Sequence, residues 1–321
     1  MSVPFGPAVL TLDDITQQLR RTFAGFTDPR RGKNTMYTLV DAGLSAFSVF
    51  FMQSPSFLEY QRSLEQTRGE NNARTLFGTH DIPSDNQIRN LLDATPASAL
   101  EPMYAYLFNA LAQAGVVDAH RSIGHTLLLA LDGTAYFSSP TIHCEHCSTR
   151  RHANGKVTYV HAAVSPVLVK PGSDQVIALV PEFIRPQDGA QKQDCELTAA
   201  KRWLDAHGAY YSRLKTTVLG DDLYCHEPFC RALQSLGLGF ILVCKPTSHT
   251  TVYEWVADLE RRGAVHTLVR TRWTGKRHET DTYRFAQTIP LCDTDTALTV
   301  NWCELTTTDT HGNVRYRNAF A

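Results

Sequence analysis

Neither sign of charge is in excess. The 321 residues carry 31 Lys and Arg against 32 Asp and Glu, a formal net charge of −1. That excludes a uniformly basic nucleic-acid binder, so any contact with a polyanion must come from local patches. Long hydrophobic runs are also missing. The most apolar stretch, TMYTLVDAGLSAFSVFFM (35–52), carries Asp41 and barely reaches the length of a membrane span, so it reads as a buried helix. The opening MSVPFGPAVL has neither the basic stretch nor the apolar run of a signal peptide. Without such a signal, the 8 cysteines read as reduced thiols in a cytoplasm rather than as a disulfide scaffold. There is no internal repeat and no low-complexity segment. What is present, 43% hydrophobic and 20% charged residues, suits a globular chain with ample material for a core, in two domains or one large one.

Residues 1–120 have helical texture. TLDDITQQLRRTFAGF offers Thr11 as N-cap with Asp14 three residues on, and Leu12, Ile15, Leu19, Phe23 and Phe26 form one apolar stripe. Ser54-Pro55 and Thr95-Pro96 are cap-then-proline signals, Ser84 and Gln87 a capping box, and Gly115 a helix stop.

From about residue 121 the texture changes. TLLLALDG, TYVHAAVSPVLV (158–169) and QVIALVPEFI (175–184) read as strands, followed by a helix over 194–208. A strand over 216–224, a helix over 226–237 and a strand over 239–246 complete a mixed α/β sheet with crossover helices. One more helix is expected over 248–263. The remainder alternates like β-hairpins, with 311–313 as a turn.

Two of these strands end on a carboxylate. Leu127–Leu131 runs into Asp132, and Val218-Leu219-Gly220 runs into Asp221. An unpaired charge at the end of a core strand is costly unless it is solvated, caps a turn or binds a cation. Ends of neighbouring strands in an α/β sheet lie together, at the edge where such folds place their sites. Two carboxylates converging there repel, and a divalent cation relieves the repulsion. Oxygen ligands in small number suit Mg2+, or Mn2+ in its place, and a two-metal site can hold an in-line phosphoryl displacement. Asp222 competes with Asp221 for the second position, and spacing alone does not choose.

LALDGT, VLGDDLY and the β-rich stretch that follows resemble the DDE insertion-sequence transposases with a ribonuclease-H-like core, in the branch with β-strands inserted before the final acid. The resemblance implies an α/β fold: a ribonuclease-H-like mixed sheet with flanking helices, an all-α region before it and a β-rich insertion after it. The implied divisions are 1–120, a candidate for DNA-end binding; 121–247, the catalytic core; and 248–321, helix plus insertion. The family's second acid opens an Asp-x-x-aromatic pattern, which Asp221 with Tyr224 satisfies. Asp132 and Asp221 are therefore the implied metal ligands and catalytic residues. The implied partners are element ends and target DNA, with a homo-oligomer on DNA and no membrane, in a cytoplasmic protein associated with the nucleoid when DNA-bound. The family's third acid closes a Tyr-x-x-Arg-x-x-x-Glu pattern that no tyrosine here begins. Glu254, Glu260 and Glu304 are not convincing substitutes. The expectation is a chain truncated before that glutamate and inactive by itself, leaving a non-enzymatic DNA-binding remnant or regulator, or a metal nuclease, as alternatives.

Two further groups stand out. HCEHCSTRRH (143–152) places Cys144 and Cys147 at zinc-ligand spacing with His152 following, against the plain reading of a loop rich in thiols and imidazoles. Arg270, Arg272, Lys276 and Arg277 surround Trp273, a combination suited to phosphate neutralisation and base stacking, or simply to a solvated hairpin face. Arg150, Arg151 and Lys156 form a smaller basic group. The adjacent pair Cys225-His226 has only adjacency to suggest a nucleophile.

Overall fold

Reciprocal capping boxes start the first two helices. Thr11 and Asp14 bond each other's backbone N–H groups ahead of α1 (Leu12–Ala24), and Thr38 and Asp41 do the same ahead of α2 (Leu39–Phe51). The one charge in the apolar 35–52 stretch is thus a cap, which explains its tolerance there. The computed structural model describes residues 10–32, 35–54, 56, 58–60, 62, 72–79, 82–186 and 194–321. The chain divides into two units, Met1–Ala119 and His120–Ala321. Among the described residues no helix is long and apolar enough to cross a membrane.

The first unit continues with α3 (Asn72–Phe77), α4 (Asp85–Leu92), α5 (Glu101–Gln113) and α6 (Val116–Ala119). Leu19 and Phe23 of α1 pack against Leu44 of α2 and Met103 of α5. Burying each such side chain contributes roughly 1.5–3 kcal/mol. Ser84 Oγ accepts from Gln87 N, but Gln87 returns no bond to Ser84 N, so only half of the expected capping box forms. After Thr95-Pro96 a short 3-10 turn, Ala97–Leu100, precedes α5, so that helix starts later than its proline suggests. Pro55 of the other cap-then-proline signal lies outside the described residues.

The second unit is mixed α/β. Its strands are β1 (Leu127–Ala130), β2 (Gly133–Ser139), β3 (Ser148–Arg151), β4 (Val157–Val164), β5 (Val167–Val169), β6 (Ile177–Ala178), β7 (Glu182–Ile184), β8 (Thr216–Gly220), β9 (Gly239–Leu242), β10 (His266–Trp273), β11 (His278–Pro290), β12 (Thr299–Asp309) and β13 (Val314–Phe320). Its helices are α7 (Glu196–Arg213), α8 (Glu227–Ser235) and α9 (Thr250–Arg261). Five strands form one sheet in the order β6-β5-β1-β8-β9. β1 is antiparallel to β5 and parallel to β8, and β8 is parallel to β9. A second sheet holds β2-β4-β3 with β7 on β4, and a third is the antiparallel series β10-β11-β12-β13.

The expected strand over 158–169 is two strands in two sheets. Pro166 has no N–H to donate to a ladder, and there the chain leaves β4 for β5. The partner chain bends at the same level: Ala130 pairs with Val167, Gly133 pairs with Val164, and Ser165 N donates to Asp132 O across the gap. One long antiparallel ladder therefore crosses between sheets at Asp132. The stretch 175–184 divides likewise into β6 and β7. At the far edge, Leu242 and Ala321 exchange both backbone hydrogen bonds at 2.9 Å, so the end of the β13 segment covers the outer side of β9.

Candidate active site

Asp132 and Asp221 follow the carboxyl ends of two adjacent parallel strands, β1 and β8. Leu127 to Ala130 pair in register with Thr216 to Leu219, and Leu131 N donates to Leu219 O at 2.9 Å. Asp132 follows β1 by two residues and Asp221 follows β8 by one, so both leave the sheet at the same edge. Both are exposed at the carboxyl ends of their strands. Asp221 Oδ1 accepts from Leu223 N at 2.9 Å, so turn capping accounts for one of its oxygens. Among the described residues no donor engages the Asp132 carboxylate.

A third carboxylate lies near this edge, although the three carboxylates do not all come within 4.8 Å of one another. Glu196, the first residue of α7, accepts a 2.7 Å hydrogen bond from the Tyr224 hydroxyl on Oε1. Its other oxygen lies over Gly133: a Cβ built there would be 2.1 Å from Glu196 Oε2. Gly133 opens a strand rather than a turn, and its lack of a side chain is what admits Glu196 beside Asp132. Tyr224 is fully buried. Burial pushes its phenol well above the usual range, and the charges of Glu196, Asp221 and Asp132 push it further. Of the three, Glu196 is the one that contacts the hydroxyl.

Glu196 is held by what precedes it. Asp194, with no side-chain exposure, makes a fork-to-fork pair with Arg202 at 3.0 and 2.9 Å and accepts from Arg185 N and Cys195 N. Arg202 also binds Glu182 Oε1 and Phe183 O on β7. Burial disfavours the Asp194 charge, but Arg202 and the two N–H groups outweigh it and keep the carboxyl below its ordinary range. The start of α7 is thereby clamped to the second sheet.

Asp222 turns elsewhere. Its Oδ1 accepts from Lys245 N at 2.7 Å and lies 3.3 Å from His249 Nε2, a contact not aligned as a hydrogen bond. Burial works against its charge, while the Ser248 hydroxyl, Lys245 N and His249 lower its pKa on balance. His249 joins the buried Cys225 and Cys244 in a group whose ligand atoms lie within 4.8 Å of one another. Cys225 is fully buried, and its thiol is pushed far upward by Cys244 and by burial.

Among the other expected residues, Cys144 and Cys147 meet His161 of β4, not His152. His152 instead sits in the β3–β4 turn with Nε2 2.8 Å from Thr158 Oγ1. Arg270, Arg272 and Trp273 lie on the exposed β10, with Lys276 and Arg277 in the following turn. Arg272 is paired with Glu279 and Asp281, and Arg277 with Glu279. Among the described residues no ion pair holds Arg270 or Lys276. Trp273 is 60% exposed. Glu304 is buried between Arg284 and Arg317, and Glu260 pairs with Arg284. No family model matches the chain, and no curated protein matches it.

Glu196, beside Gly133, and His161, beside Cys144 and Cys147, are the residues that the structure adds to those singled out in the sequence. The available signal for Glu196 was an acid opening the first helix after a set of strands, which a helix dipole alone also explains.

Proposed function

We propose that the second unit is the ribonuclease-H-like catalytic core of a DDE-type transposase, which cleaves a phosphodiester at an element end and joins the freed 3′-OH to target DNA. The carrying observation is that Asp132 and Asp221 follow the carboxyl ends of the neighbouring parallel strands β1 and β8. The order β6-β5-β1-β8-β9, antiparallel on one side of β1 and parallel on the other, supports the same reading.

The donor set fits Mg2+ or Mn2+: only carboxylate oxygens, two of them on exposed residues with room for water and phosphate. Asp132, Asp221 and Glu196 would hold the ions. Such ions, when bound, activate an attacking oxygen and stabilise a leaving one. The chain's own contribution is position. Gly133 leaves space for Glu196, Tyr224 holds its near oxygen, and the Asp194–Arg202 clamp fixes the helix that carries it. A fixed charge constellation is what phosphoryl transfer demands of a protein.

The test is nicking of supercoiled plasmid by the purified chain with Mg2+ or Mn2+. Cleavage should disappear in Asp132→Asn and Asp221→Asn and persist in Asp222→Asn. A folded chain that binds DNA yet cleaves none would sink the catalytic reading and leave a DNA-binding transposase remnant or regulator, which the missing Tyr-x-x-Arg-x-x-x-Glu pattern favours. Cleavage without any joined product from a 3′-OH oligonucleotide would indicate a metal nuclease.

A further inference from the structure

The connection from β2 to β3 brings two thiols under an imidazole. Cys144 Sγ and Cys147 Sγ lie 3.8 Å apart, and His161 Nε2 lies 3.4 Å from the first and 3.3 Å from the second. A tetrahedral zinc with bonds of about 2.3 Å to sulfur and about 2.0–2.1 Å to nitrogen requires edges of roughly 3.8 Å between sulfurs and roughly 3.5 Å from sulfur to nitrogen. All three separations agree with this within about 0.2 Å. A simple N–H to sulfur hydrogen bond would favour one thiol, whereas this nitrogen is shared almost evenly between two.

The surroundings orient the three ligands. Cys144 N donates to Cys147 Sγ at 3.3 Å, placing a backbone N–H on a sulfur that would become a thiolate. His161 stands opposite a bulge in β2: Ala135 pairs with Ala162 and Phe137 with His161, leaving Tyr136 as the extra residue. Bulges re-aim side chains, and here the Tyr136 ring stacks on the imidazole at 5.8 Å while Phe137 packs beside it at 5.6 Å. The neighbouring imidazoles are otherwise engaged, His143 with Thr141 O and the Tyr159 ring, His146 with Glu145.

We propose that Cys144, Cys147 and His161 bind one Zn2+ ion, with water completing the shell on the side of the exposed Cys144. On binding, the two thiols lose their protons to solvent and no electron is transferred. The ion ties the β2–β3 connection to the middle of β4, beside the exposed Arg150 and Arg151 of β3. It differs from the carboxylate site in chemistry as well as place: two sulfurs and an imidazole select Zn2+ over Mg2+.

The full chain, loaded with equimolar Zn2+ and passed through a desalting column, should retain about one zinc by elemental analysis. Cys144→Ser with Cys147→Ser should lose it. His161→Cys should keep it, since three sulfurs still form a site. In the wild-type chain, Co2+ in place of zinc should give the intense sulfur-to-metal charge-transfer absorption of two thiolates, and EDTA should lower the melting temperature reversibly. Zinc retained by the double variant but lost on changing Cys225 and Cys244 would move the ion to the buried cluster and overturn the proposal. A zinc-free wild type with Cys144 and Cys147 joined as a disulfide would overturn it equally. Should the double variant not fold, the wild-type cobalt spectrum and the His161→Cys variant still decide.

Discussion

Glu196 and residue 133 compete for one volume: the carboxylate of the first occupies the place where a side chain on the second would begin, with 2.1 Å between Oε2 and an added Cβ. Gly133→Ala should therefore expel the Glu196 head from the strand end. The displaced group is the far end of a flexible side chain, so the fold should lose less than about 1–3 kcal/mol, the usual cost of overpacking. Cleavage should fall on the order of 10²-fold, as for other small misplacements of catalytic groups. Urea unfolding and plasmid nicking read the two effects separately. Full activity in Gly133→Ala would show that Glu196 has no part in the site.

Tyr224→Phe removes only the hydroxyl that holds Glu196. A hydrogen bond to a charged group contributes about 1.5–3 kcal/mol, and stability should fall by an amount near the lower figure, because the partly exposed carboxylate can turn to water. The same change should raise the metal concentration needed for half-maximal nicking. An unchanged metal dependence would confine Tyr224 to the core.

Part of this arrangement was legible in the sequence. Apolar runs that stop on Asp132 and Asp221 announce strand ends, and the capping signals at Thr11 and Ser84 work through contacts three residues long. What could not be read depends on residues far apart in the chain. Glu196 meets Gly133 only because α7 is clamped by Arg202, and His161 meets Cys144 because β4 returns beside β2. Local spacing pointed to His152, which is nearer in sequence but faces Thr158. β2 and β3 are mostly exposed, so neither shows the apolar pattern of a core strand. Pro166 is visible as a break, yet nothing local says that the chain changes sheets there.

Arg202→Met should destabilise the second unit strongly. It leaves Asp194 buried without its partner, a change that costs about 3–5 kcal/mol when both groups are fully buried. Arg202 keeps 35% of its side-chain surface exposed, so the lower end applies. Arg202→Met combined with Asp194→Asn, which removes the buried charge and keeps an acceptor for the neighbouring N–H groups, should recover part of the loss. A double variant as unstable as the single one would mean that the clamp acts through Glu182 and Phe183 instead.

Asp309 sets an acid dependence. Burial disfavours its charge, but Asn313, the His311 N–H and Arg315 outweigh that and hold its pKa at about 2. Its unfolded value is about 3.9, so its contribution is complete above that pH and is lost as pH falls through about 2. Asp309→Asn should be less stable than wild type at neutral pH and lose less on acidification from about pH 4 to about pH 2. Parallel acid titrations of the two proteins would exclude this role for the β12–β13 turn.

The basic hairpin divides into two functions. Arg272 and Arg277 neutralise Glu279 and Asp281, which are 7% and 8% exposed, whereas Arg270, Lys276 and Trp273 remain open to a ligand. Removing the first pair should mainly weaken the fold, by about 1–2 kcal/mol, since the arginines are half-exposed and screened while their carboxylates are not. Removing the second pair should leave stability unchanged and act on DNA. Each phosphate contact contributes about 0.9 to the slope of log affinity against log salt on duplex DNA, so Arg270→Ala with Lys276→Ala should flatten that slope by up to about 2. Trp273→Ala should weaken single-stranded DNA by about 1–3 kcal/mol, the worth of one stacked base, with little effect on the slope. Salt titrations of fluorescent oligonucleotides by anisotropy distinguish these outcomes. An unchanged slope in the Arg270 and Lys276 variant would remove this hairpin from the proposed DNA contact and leave the exposed Arg150 and Arg151 of β3 as the next basic pair to change.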